Sequence, residues 1–284
     1  MSSALNLKVI INPKAGFCFG VKHAIQIAEE MLSKGEEVYC VGKIVHNAKE
    51  VSRLEKMGLN TISLDELKLL HGKIVLFRAH GEPPSTYALA EKNGNTVVDA
   101  SCKVVLHVQD RIRISFENKE NIYIFGKKEH PEMIGILAQT AGTAVAFEDI
   151  TQLDLTAMPL EISLYSQTTK SLSQFYEIAA VLESNGIKVN LQDTVCRQVH
   201  NREAKLAEFA KSYDKNIFVA GKDSSNAKVL FNICFEANPD SFYVSEESEI
   251  KEAWFKPHDT VGISGATSTP VWQMARMKEF LENL

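Results

Sequence analysis

The chain has 284 residues, 45% of them hydrophobic, and a formal net charge of −5. That length can bury a good core and suggests about two domains. With no basic stripe, nucleic acid is not expected as a partner, and no apolar run approaches the roughly 20 residues of a membrane-spanning helix.

Residues 1–7 have neither the basic flank nor the apolar stretch of an export signal, so a cytoplasmic location is expected. The first strand is expected over 7–12 and the first helix over 21–33. A strand over 37–42, a helix over 47–57 and a strand over 73–78 follow, then a helix over 104–116 and a strand over 121–126. The rest reads as strand 162–166, helix 171–184, helix 200–212, strand 216–221, strand 260–264 and helix 270–283. Short apolar runs alternating with amphipathic stretches at this spacing point to an α/β fold with mainly parallel sheets. No Pro/Gly-rich linker or low-complexity tract interrupts the pattern.

One unit recurs three times. Cys18, Cys102 and Cys196 lie 84 and 94 residues apart, each between an expected strand and an expected helix. Val97-Val98-Asp99-Ala100-Ser101-Cys102 parallels Leu191-Gln192-Asp193-Thr194-Val195-Cys196, whereas the first copy reads Gly16-Phe17-Cys18-Phe19-Gly20. A strand and then Gly-Lys follow each cysteine, with the glycine (Gly42, Gly126, Gly221) 24, 24 and 25 residues on. Four residues further stand His46, His130 and Ser225. Another strand in each copy ends in Ala79-His80-Gly81, Gln167-Thr168-Thr169 or Ala266-Thr267-Ser268. Because ligands of open α/β sheets bind beyond the carboxyl ends of the strands, three such edges facing one another would make a central pocket. The expected modules are 14–101, 102–193 and 194–284, with 1–13 joining the third.

The five cysteines include no CxxC pair, and in a reducing cytosol they read as buried hydrophobes, metal ligands or nucleophiles. Cys40, within Val38-Tyr39-Cys40-Val41, and Cys234, amid Phe231, Ile233 and Phe235, read as core. Cys18, Cys102 and Cys196 sit at turn-to-helix junctions, where the helix N-terminus favours the thiolate that binds metal. Three convergent thiolates suit either an iron–sulfur cluster or a zinc site with three cysteine ligands. His46-Asn47 and Ser224-Ser225-Asn226 precede expected helices; such starts cap helices and also bind anions. His130-Pro131-Glu132 reads as a helix start, in which Glu132 serves either the cap or proton transfer.

These residues resemble the 4-hydroxy-3-methylbut-2-enyl diphosphate reductase family over essentially the full length. The resemblance rests on Gly16-Phe17-Cys18, Val45-His46-Asn47, Ala79-His80-Gly81, Ser101-Cys102, His130-Pro131-Glu132, Gln167-Thr168-Thr169, Ser224-Ser225-Asn226 and Ser268-Thr269-Pro270. It implies three pseudo-threefold-related α/β modules around a central [4Fe–4S] cluster held by Cys18, Cys102 and Cys196. It also implies reductive removal of the hydroxyl of an allylic diphosphate, giving isopentenyl and dimethylallyl diphosphates, with a ferredoxin or flavodoxin as electron donor. The diphosphate would rest on His46, His80, Ser224, Ser225, Asn226 and Ser268, while His130, Glu132 and Thr168 would face the hydroxyl. Of these, Glu132 is the expected proton donor, in a pocket that raises its pKa. Three places depart from the family pattern: Phe19 replaces a small residue, Lys103 a proline, and Cys196 is followed by Arg197-Gln198-Val199, where a threonine is expected at or near Val199. Other readings of the three cysteines are a zinc hydrolase and an iron–sulfur sensor or electron carrier.

Overall fold

The computed structural model describes residues 5–222 and 224–284, and of Ser225 only the backbone; residues 1–4, assigned above to the third module, lie outside the described residues. The chain opens with β1 (Lys8–Ile11), α1 (Phe19–Ser33), β2 (Val38–Val41), α2 (Ala48–Lys56) and β3 (Asn60–Ile62). Next come α3 (Leu64–Leu69), β4 (Ile74–Phe77), α4 (Pro84–Lys92), β5 (Thr96–Asp99) and α5 (Lys103–Glu117). Then follow β6 (Ile122–Phe125), α6 (Pro131–Leu137), β7 (Val145–Phe147), β8 (Glu161–Ser166), α7 (Leu172–Ser184) and β9 (Lys188–Leu191). The remainder is α8 (Arg197–Lys211), β10 (Lys215–Val219), α9 (Ser225–Ala237), β11 (Ser241–Val244), β12 (Thr260–Gly265) and α10 (Val271–Glu282).

Three four-stranded sheets result, ordered β3-β2-β4-β5, β7-β6-β8-β9 and β1-β12-β10-β11. Every pairing is parallel. The chain is thus an α/β protein of three modules, and β1 adds to the sheet of the last one, with Lys8 opposite Thr260 and Ile11 opposite Ile263. All the strands given a range from the sequence are present, and five given none, β3, β5, β7, β9 and β11, sit at sheet edges. An edge strand is covered less than a central one, so it needs no continuous apolar run. β9 reads Lys-Val-Asn-Leu with alternate residues exposed, whereas β8 is buried from Ile162 to Ser166.

The chain divides into two compact units. One comprises the chain up to Lys22, Val45–Arg53 and Asn201–Leu284; the other comprises His23–Ile44 and Leu54–His200. In the first, successive residues of β10 serve opposite faces, as a doubly covered parallel sheet requires. Ile217 and Val219 pack with Met274, Met277 and Leu281 of α10, while Phe218 packs with Leu206 of α8 and Leu230 of α9. In the second unit, Phe125 and Leu164 pack with Phe175 and Leu182 of α7, and Ile124 packs with Ile112 of α5 and Met133 of α6.

Candidate active site

Cys18, Cys102 and Cys196 each immediately precede a helix: α1, α5 and α8. Each carbonyl accepts the first intrahelical bond, from Lys22 at 2.9 Å, Leu106 at 3.0 Å and His200 at 3.0 Å. Each backbone N–H donates to a strand-end carbonyl: Cys18 to Thr267 at 3.2 Å, Cys102 to Ala79 at 3.0 Å and Cys196 to Thr168 at 2.8 Å. The equivalent strand-end residues are therefore Ala79, Thr168 and Thr267. This corrects by one residue the alignment read from the sequence, which set Ala79 against Gln167 and Ala266. The sequence match followed polar side chains, whereas the ladder follows the backbone.

All three cysteines are half-buried, and none is in a disulfide. Each of the three thiols stands at the positive end of its own helix, α1, α5 or α8, a setting that favours the thiolate form that binds metal. Cys40 and Cys234 are different. Both are buried in the core, and burial pushes the Cys40 thiol up to about 12 and raises that of Cys234. Thiols held protonated in this way are poor ligands.

In the second unit, Pro131 opens α6 and His130 caps it, its Nδ1 accepting from the Glu132 N–H at 3.2 Å. The neutral ring then carries its proton on Nε2. Glu132 is 2% exposed, and Thr168 bonds both its oxygens, backbone N–H to Oε1 at 2.7 Å and hydroxyl to Oε2 at 2.8 Å. Burial lifts the Glu132 pKa to about 6, against the pull of those two bonds. The Thr168 carbonyl also receives the Cys196 N–H, so one residue ties the buried acid to a cysteine.

The His80 ring lies edge-on to His130, centroids 5.6 Å apart. Glycines permit that approach. Gly81 has φ +72°, and a Cβ there would lie 2.6 Å from Nε2 of Gln109; a Cβ on Gly135 of α6 would lie 2.7 Å from the same atom and 3.0 Å from the Gly81 carbonyl oxygen. Gln109 thus fills the seam between the His80 turn and α6, a role invisible in the sequence.

In the first unit, His46 precedes Asn47, which caps α2 by accepting from Glu50 N–H at 3.1 Å and donates to Gln273 at 2.9 Å. The His46 carbonyl lies 2.9 Å from where a Gly221 Cβ would stand, so glycine is required there. Ser224 caps α9 through the Ala227 N–H at 3.3 Å, and Ser268 donates to it at 3.4 Å. Both serines are buried. The side-chain amide of Asn226 is buried with neither its oxygen nor its nitrogen bonded within the protein. A buried amide in that state costs free energy until something bonds it, which suits a ligand oxygen. The side chain of Ser225 lies outside the described residues.

Of the three departures, Phe19 is 59% exposed and Lys103 is exposed at the first position of α5, whereas Val199 is buried. Sequence reading also missed Arg202 of α8, which donates to the carbonyls of Gly16 and, at 3.0 Å, Phe17, holding the turn that leads into Cys18. No local motif marks such a residue, because its partners are 186 and 185 positions away.

A family model described as LytB protein matches residues 9–282. A 4-hydroxy-3-methylbut-2-enyl diphosphate reductase of Parabacteroides distasonis is 47% identical over 284 residues, covering 96% of this chain and 98% of the relative. A protein of the same name from Bacteroides fragilis is 44% identical, covering 97% and 98%. Among solved structures, an (E)-4-hydroxy-3-methyl-but-2-enyl diphosphate reductase, described as the terminal enzyme of the non-mevalonate pathway, is similar with a TM-score of 0.75 at 30% identity, covering 98% of this chain and 100% of that one. The E-1-hydroxy-2-methyl-but-2-enyl-4-diphosphate reductase from Plasmodium falciparum gives a TM-score of 0.83 at 27% identity, covering 98% and 88%.

Proposed function

The chain belongs to the LytB protein family, and we infer from this that it is a 4-hydroxy-3-methylbut-2-enyl diphosphate reductase. It replaces the hydroxyl of its allylic diphosphate substrate by hydrogen, consuming two electrons and two protons and releasing water with isopentenyl or dimethylallyl diphosphate. This is the last step of the methylerythritol phosphate route to isoprenoid precursors. Family membership implies an iron–sulfur cofactor. The finer assignment is a [4Fe–4S] cluster on Cys18, Cys102 and Cys196, which supplies the electrons and a Lewis-acidic iron. The observation that carries this reading is the identical seating of those three residues, each a helix cap and each bound through its amide to a strand-end carbonyl.

His46, His80, Ser224, Ser225, Asn226 and Ser268 bind the diphosphate. The unsatisfied Asn226 amide supports that role, because a phosphate oxygen would satisfy its N–H. Glu132 holds the proton that turns the departing hydroxyl into water; its partner Thr168 relays it, and His130 orients the substrate. Hydroxide is a poor leaving group, so an acid at this point lowers the barrier. The electron donor is a ferredoxin or flavodoxin. No helix among the described residues is long and apolar enough to cross a membrane. We place the enzyme in the cytoplasm and its module boundaries near residues 101 and 194.

The test is an anaerobic assay of reconstituted protein with 4-hydroxy-3-methylbut-2-enyl diphosphate and a low-potential reductant. Formation of both five-carbon diphosphates is expected. Colourless protein that binds zinc tightly and produces neither product would overturn the reading.

A further inference from the structure

Two carboxylates that the mechanism leaves unused stand three residues before cysteines, and both are held in the same way. At the end of β5, Asp99 accepts from the Ser101 N–H through Oδ1 at 2.9 Å, and through Oδ2 from the Tyr87 hydroxyl of α4 at 2.9 Å. After β9, Asp193 accepts from the Val195 N–H through Oδ1 at 3.3 Å, and through Oδ2 from the Tyr176 hydroxyl of α7 at 3.3 Å. In each case one oxygen closes a side-chain turn onto the residue next to the cysteine, and the other is tied to the preceding helix. Asx turns are common by themselves. Their recurrence at one spacing before two cysteines, each with a tyrosine on the outer oxygen, is the feature that calls for a shared cause.

The two tyrosines are seated differently. The Tyr87 ring stands edge-on to buried Phe77, centroids 4.7 Å apart at 74°, and Tyr176 stands edge-on to buried Phe175 at 6.2 Å and 62°. The first strut thus runs from an aromatic seated on the core, through a carboxylate, to the backbone that enters Cys102; the second starts from Tyr176, 46% exposed on α7, and reaches the backbone that enters Cys196 in the same way. The turn before Cys18 lacks a tyrosine of this kind. Asn12 closes a turn onto the Lys14 N–H at 2.9 Å, and Arg202 supplies the second hold through the carbonyls of Gly16 and Phe17.

We propose that the Tyr87–Asp99 and Tyr176–Asp193 pairs are positioning residues that fix the approach of the Cys102 and Cys196 thiolates to the cofactor. The inference rests on the cluster reading given above. Residues that orient metal ligands from behind typically contribute 10- to 100-fold to metal affinity. The two struts are not identical: Asp193 also pairs with Arg197, so the second keeps a hold when its tyrosine is lost.

The experiment uses full-length protein reconstituted anaerobically with iron and sulfide. It follows the loss of cluster absorbance to an iron chelator and the cluster's reduction potential. Tyr87→Phe keeps the ring on Phe77 and removes only the hydroxyl. Cluster loss about tenfold faster than wild type is expected, with a shifted potential and an unchanged melting temperature of the apoprotein. Asp99→Ala, which removes both bonds, should lose its cluster at least as fast, and the Tyr87→Phe/Asp99→Ala double variant should be no worse than Asp99→Ala alone, because both changes break one strut. Tyr176→Phe should lose its cluster less than half as fast as Tyr87→Phe, since Arg197 remains. Wild-type loss rates and potentials in Tyr87→Phe and Asp99→Ala, or effects that simply add in the double variant, would overturn the proposal. Wild-type protein that takes up no cluster would instead overturn the cofactor assignment beneath it.

Discussion

Thr168 donates to both oxygens of Glu132, and the two bonds are not equivalent. The backbone N–H on Oε1 can only donate, so a proton on the carboxyl belongs on Oε2, facing the Thr168 hydroxyl. That hydroxyl can accept the proton and pass its own onward. Glu132→Gln, which keeps the shape and removes the acid, should therefore retain the cluster and bind substrate within about tenfold of wild type while losing roughly 10²–10⁴ in turnover. Thr168→Val, which removes only the relay, should lose turnover as well. Near-normal turnover in Glu132→Gln, with loss in His130→Asn at unchanged binding, would make the histidine the acid.

The same carboxyl leaves a signature in stability. Its folded pKa of about 6 lies above the ordinary carboxylate value, so the folded state holds the proton more tightly than the unfolded chain. The associated stabilisation is complete below about pH 4.3 and is lost as pH rises through about 6. A displacement of this size corresponds to about 2 kcal/mol. Denaturant melts of the apoprotein across that window should show wild type losing more stability than Glu132→Gln. Parallel curves for the two proteins would mean that Glu132 titrates normally.

Serine at Cys18, Cys102 or Cys196 should abolish the brown colour and the activity. The same change at Cys40 or Cys234 should cost only about 1 kcal/mol of stability, the scale of a small core substitution. Anaerobic reconstitution followed by iron analysis separates the two classes. Bleaching by Cys40→Ser alone would show that the ligand set is misassigned.

Asn226 offers an unusual combination. Its buried amide makes no hydrogen bond within the protein, so Asn226→Ala should leave apoprotein stability unchanged or raise it by about 1 kcal/mol. It should nevertheless weaken diphosphate binding, as should His46→Ala and Ser268→Ala, with the cluster spectrum intact. Because the proposed donors are mostly neutral, binding should not require magnesium. Calorimetry with the substrate, with and without the metal, checks both points; a strict magnesium requirement would count against this site.

Gly81→Ala should be costly although it adds a single methyl group to a buried position. The new Cβ would lie 2.6 Å from Gln109, on a backbone with φ +72° that L-residues seldom adopt. A loss of about 1–3 kcal/mol is expected, with a weaker His80–His130 contact and poorer substrate binding. The pair Gly81→Ala and Gly81→Ala/Gln109→Ala tests the cause: the second change should recover the steric part and leave the conformational part.

What could be read from the sequence follows from how local each signal was. Central strands such as β4 and β10 announce themselves because both faces are buried and they carry apolar runs, Ile74 to Phe77 and Ile217 to Val219. Edge strands such as β3, reading Asn-Thr-Ile, carry no such run and emerge only through pairing with β2. The helix-start setting of Cys18, Cys102 and Cys196 was legible because spacing repeats along the chain. The Thr168–Glu132 bonds were not, since they join residues 36 apart on different elements. Gln109, Arg202 and the tyrosines facing Asp99 and Asp193 were invisible for the same reason: only packing brings them to their partners.

The pairing of β1 with β12 has a consequence for biosynthesis. Asn12 meets Ser264 across 252 positions, and the Cys18 amide finds its carbonyl at Thr267. A nascent chain can assemble the β2 and β6 sheets while the ribosome is still working. Cys18 must wait until β12 has emerged before its turn can be seated. If Cys18 holds the cofactor as proposed, the complete ligand set would form only after β12 has been made.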